Sequence, residues 1–125
     1  MATIKSYSDL QQSKKLAEIL PLESADMCYI AHSELIGIHE PFYKKIDKND
    51  IPCWSLAALL GILPKVINNE TLFIETSPAL WHIGYRNIYT ARADNPVDAC
   101  VDMILRLSKN GLTSLQNIIE QLKKL

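Results

Sequence analysis

Ile51-Pro52-Cys53-Trp54-Ser55-Leu56-Ala57-Ala58-Leu59-Leu60-Gly61-Ile62-Leu63-Pro64 is a long apolar run bracketed by two prolines. Pro52 suits the first turn of a helix, where an absent N–H costs nothing. Pro64 cannot continue that helix and biases Leu63 out of the α region. On a helix, Trp54, Ala57, Ala58 and Gly61 form one face, and Leu56, Leu59, Leu60 and Leu63 form the opposite one. A helix that is apolar all round is buried in a core or in a membrane. A bilayer span takes about 20 such residues, and this run is shorter. The spacing therefore predicts a central helix inside a soluble domain.

Toward the N-terminus, Ser6 or Ser8 is placed to cap a helix from about Asp9 to Leu20, stopped by Pro21; Ser8 with Gln11 has capping-box spacing. Leu10, Ala17 and Leu20 share its apolar face, and Gln11, Lys14, Lys15 and Glu18 face water. Met27–Glu40 is rich in residues that favour strands, with alternation broken at Ser33-Glu34. Phe42–Asp50 reads as a connection. Beyond Pro64, Val66–Asn69 is a loop or short strand and Thr71–Glu75 a strand. Leu80–Thr90 alternates, with Trp81, Ile83 and Tyr85 on one side and His82, Gly84 and Arg86 on the other. Arg86-Asn87 marks a kink or bulge in it. Asn95 as N-cap, Pro96 at the first helical position and Asp98 in the first turn open a further helix. That helix ends with Gly111 at the left-handed C-terminal position. Leu115, Ile118, Ile119, Leu122 and Leu125 then recur at helical spacing. The order α, β, α, β, β, α, α predicts a single α+β domain over residues 1–125, with helices packed on a mostly antiparallel sheet of three or four strands.

The totals agree with that class. The chain has 125 residues, 48% hydrophobic and 22% charged, with a net charge of −1. These values are ordinary for a globular domain. No basic stripe is present, which disfavours nucleic acid as a partner; it would return only if Lys14, Lys15, Lys44, Lys45 and Lys48 gathered into one patch. The first ten residues lack the apolar core of a secretion signal. Three widely spaced cysteines, Cys28, Cys53 and Cys100, form no disulfide framework. Both features point to the cytoplasm, with no membrane attachment.

Three stretches carry a resemblance: Tyr-Ser-Asp-Leu-Gln-Gln-Ser-Lys-Lys-Leu-Ala-Glu-Ile-Leu-Pro at 7–21, Ile-Pro-Cys-Trp-Ser-Leu-Ala-Ala-Leu-Leu at 51–60 and Asn-Pro-Val-Asp-Ala-Cys-Val-Asp-Met-Ile at 95–104. Together they resemble small uncharacterised proteins of prophages and mobile elements of gut bacteria. Residues 52–107 are also similar to the phage ABA sandwich domain. The resemblance implies a mobile-element context and a sandwich architecture. It brings no activity and no site residues.

Among chemically useful residues, Cys53 stands out. In the first turn of a helix its thiolate would be favoured by the helix dipole, and His32, His39 or His82 could serve as its base. The bland alternative is a small buried hydrophobe. Cys28 and His32 would lie about 13 Å apart along a strand, too far to share an ion, so no metal site is expected. Cys100 falls on an apolar helix face and reads as core. Arg86 and Arg92, with the N–H groups at the start of the Pro96 helix, could hold an anion, although Asn95 and Asp98 already cap that end. Asp98 and Asp102 are i, i+4 neighbours on a solvated face. Trp81, Tyr85, Tyr89 and Tyr29 are core rather than a stacking platform. His82, opposite Trp81, is the histidine to test first. No glycine spacing fits a phosphate loop, and no cofactor is implied.

The expectation is a non-enzymatic interaction protein of mobile-element type that binds another macromolecule or itself. A homodimer would use the stripe of Leu115, Ile119 and Leu122. The alternative is a small thiol hydrolase or transferase built on Cys53 and a histidine.

Overall fold

Asp9, rather than a serine, starts the first helix. In the computed structural model, which describes residues 5–29 and 50–109, α1 spans Leu10–Ala17. The Asp9 carboxylate accepts the Gln12 N–H at 2.8 Å, and Gln12 Oε1 accepts the Asp9 N–H at 3.0 Å. This closes a capping box one residue later than the Ser8–Gln11 spacing suggests. Ser8 has turned inward and is buried. A single 3₁₀ turn at Leu22–Ser24 follows Pro21.

The apolar run divides between two elements. β1, Met27–Tyr29, pairs antiparallel with β2, Ile51–Cys53, with Met27 opposite Cys53 and Tyr29 opposite Ile51. Pro52 thus lies in a strand, not at the start of a helix. α2 spans only Leu56–Ile62. Ser55, the one hydroxyl in the run, supplies what Pro52 cannot: its Oγ accepts the Ala58 N–H at 3.2 Å. An acceptor satisfies a free helix N–H, whereas proline only avoids making one. Leu63 is extended (φ −66°, ψ 129°) ahead of Pro64, as the proline requires. Nor is α2 buried all round. Leu59 and Ile62 are buried, while Ala57 and Gly61 face solvent.

β3 (Val66–Ile67), β4 (Glu70–Thr76), β5 (Trp81–Tyr85) and β6 (Tyr89–Ala93) form an antiparallel meander in that order. Asn68 and Asn69 both take positive φ, 49° and 69°, which a two-residue type I′ hairpin demands and asparagine tolerates. The expected kink at Arg86-Asn87 is a full chain reversal. Tyr85 pairs with Tyr89, the Ile88 N–H donates to the Tyr85 carbonyl at 3.1 Å, and Asn87 takes φ 64°. The segment Leu80–Thr90 is therefore a hairpin rather than one strand.

α3, Pro96–Lys109, opens as the Asn95-Pro96 signal predicts, with Asn95 Oδ1 accepting the Asp98 N–H at 2.8 Å. It packs on β5 and β6 and against α2, with α1 bridging it to β2. The main core joins Leu16, Trp54, Leu59, Ile83, Tyr85 and the buried face of α3, including Cys100. A second cluster holds Met27, Tyr29 and Cys53. The protein is α+β, with a two-stranded ribbon beside a four-stranded sheet. The remainder of the Met27–Glu40 region, the connection from Phe42 to Asn49, Gly111 and the helix bearing Leu115, Ile119 and Leu122 fall outside the described residues. Among the described residues, no helix is long and apolar enough to cross a membrane.

Candidate functional site

Cys53 ends β2 and lies outside the first turn of α2, where a helix would favour its thiolate. Its side chain has no exposed surface. Its surroundings are Ser8, Ser13 and Tyr29. The Ser8 Oγ accepts the Trp54 N–H at 3.1 Å and lies 2.8 Å from Ser13 Oγ and 3.6 Å from Cys53 Sγ. The Tyr29 hydroxyl and the Cys53 thiol both donate to the Ser8 carbonyl, at 2.8 and 3.4 Å. Burial pushes the Cys53 thiol up, against the hydrogen bonds from Ser8, Ser13 and Tyr29. Cys100 is pushed up to about 12 by burial. A shielded, protonated thiol is a poor nucleophile. His32 and His39 lie outside the described residues, and His82 has other partners. The cluster acts as a satisfied polar knot: one serine side chain ties the N-terminal segment to β2. No buried side-chain nitrogen or oxygen among the described residues lacks a partner.

Exposed chemistry gathers instead on the face of the four-stranded sheet turned away from α3. Alternation sends Ile83, Tyr85 and Ala91 into the core and leaves Phe73, Glu75, His82, Thr90 and Arg92 outside. The hairpin registers align Glu75, His82 and Arg92 in one row across three strands, and Phe73, Gly84 and Thr90 in the next. Arg86, from the turn after β5, reaches back to an ion pair with Glu75, its guanidinium 4.6 Å above the Phe73 ring. At the other end of the row, the Arg92 Nε–H donates to His82 Nδ1 at 3.3 Å, and His82 Nε2 lies 3.1 Å from Ser77 Oγ.

A histidine beside a serine suggests a base and a nucleophile, and the third partner decides against it. In a hydrolytic triad, a carboxylate accepts from one imidazole nitrogen so that the other can take the serine proton. Here an arginine, always a donor, occupies the carboxylate's place. It makes Nδ1 the acceptor and puts the proton of a neutral His82 on Nε2. That nitrogen then donates to Ser77 and cannot accept from it. Glu75, the carboxylate of the same row, is bound by Arg86.

The start of α3 is a third polar centre, and it is occupied. The Asp98 carboxylate receives Lys5 Nζ at 2.7 Å, Gln12 Nε2 at 2.7 Å and Asn95 Nδ2 at 2.8 Å. Burial works against its charge, but the hydrogen bonds from Lys5, Gln12 and Asn95 outweigh it and hold the carboxyl below its usual range. This negative, satisfied terminus does not join Arg86 and Arg92 in holding an anion. Arg86 and Arg92 belong to the outer sheet face. Asp102 pairs with Arg106 at 3.0 Å. Tyr29 and Tyr85 are buried, as their reading as core requires; Trp81 and Tyr89 are half-buried. Among the described residues no three His, Cys, Asp or Glu side chains converge on a metal position.

Two features escaped sequence reasoning. The Ser8 knot gives no pattern, because a lone serine before a helix reads as a cap. The Glu75–His82–Arg92 row exists only once the hairpin register is known. Comparison with known protein families, curated proteins and solved structures finds no match.

Proposed function

We propose that this is a non-enzymatic interaction protein that works by binding another macromolecule, with the outer face of β4, β5 and β6 as its working surface. The observation that carries this reading is the division of its reactive groups. The three thiols are buried, and among the described residues the Ser77–His82 pair has Arg92 as its third partner, where a triad needs a carboxylate. Exposed arginine and carboxylate groups and the half-buried Phe73 meanwhile share one sheet face. A mobile-element origin, a cytoplasmic setting and self-association through Leu115, Ile119 and Leu122 belong to the same proposal; the resemblance of residues 7–21, 51–60 and 95–104 supports the first. Light scattering tests the last, since a monomer at micromolar concentration removes the homodimer.

Covalent labelling of the folded chain tests the non-catalytic core of the proposal. A fluorophosphonate should leave Ser77 unmodified, and iodoacetamide at neutral pH should leave Cys53 unmodified, both read by mass spectrometry. Rapid modification of either residue would restore an enzymatic reading.

A further inference from the structure

We draw no further inference here: the strongest candidate, the apolar patch of exposed Ile74 with half-buried Leu72 and Trp81 on the α3-facing side of β4 and β5, is an unpartnered sheet face, and nothing in the structure shows what covers it.

Discussion

Gly84 is a residue whose replacement the backbone forbids. A Cβ built there would stand 2.2 Å from the Tyr89 carbonyl oxygen and 2.8 Å from the Thr90 Cα. Both are backbone atoms of the paired strand, so no side-chain rotation relieves the contact. Gly84→Ala should destabilise the fold by about 1 to 3 kcal/mol, the usual range for forcing extra volume into a packed site, measured as a lower urea midpoint with unchanged slope. Gly61 gives the contrast. Nothing lies within 4 Å of a Cβ built there, and it is exposed in the last turn of α2. Gly61→Ala should be neutral or slightly stabilising, since alanine is the better helix former. From the sequence both glycines look alike, each inside an apolar stretch. Only the neighbouring strand separates them.

At the level of elements, the start of α3 is where pH enters. Asp98 and Asp9 are both held below the usual carboxylate range, and Lys5 above its own. For each, burial opposes the charge and hydrogen bonds outweigh it: from the Gln12 backbone and Lys5 at Asp9, from Lys5, Gln12 and Asn95 at Asp98, and to both carboxylates at Lys5. The carboxylates' contribution is complete above their unfolded value of 3.8 and is lost as pH falls through the lower folded values. That of Lys5 is complete below 10.5 and is lost as pH rises through its higher folded value. Asp98→Asn should therefore lower stability near neutral pH, by no more than about 1 kcal/mol once solvent screening is allowed for. The gap to the native chain should close as the pH falls below 3.8, measured by urea melts across the acid range. What was legible here was local. Asn95, Pro96 and Asp98 announce a helix start within four residues, and Pro64 announces a stop. Ile51–Cys53 was not legible, because its strand partner Met27–Tyr29 lies elsewhere in the chain and a short apolar run reads equally as helix or strand. Arg86-Asn87 misleads for a related reason. Alternation continues through Tyr89 and Ala91, and only the positive φ of Asn87 reverses the chain.

Across the whole molecule, the two hydrophobic clusters share α1. Leu16 belongs to the main core, while Leu10 packs against the cluster of Met27, Tyr29 and Cys53. Cys53 reports on one cluster and Cys100 on the other, and both are fully buried. If α1 couples them into one cooperative unit, both thiols become reactive with the same dependence on urea. Mass-resolved thiol labelling measures this, and a separate, lower midpoint for Cys53 would show that the ribbon opens by itself. The α+β class followed from the balance of helical and alternating segments. The candidate face did not, because Glu75, His82 and Arg92 are neighbours only across paired strands, and charges scattered along a chain carry no sign of their register.

Lys5 meets Asp98 across 93 positions of chain, and this separation has a consequence during synthesis. Residues 5 to 17 leave the ribosome well before the carboxylate that secures them exists. Until then α1, an eight-residue helix of a length that does not hold its shape alone in water, is held by β2 and the Ser8–Trp54 bond and lacks its fastening to α3. The N-terminal segment is therefore fastened in two stages, to β2 before α3, and a nascent chain halted before position 98 would hold it by the first alone.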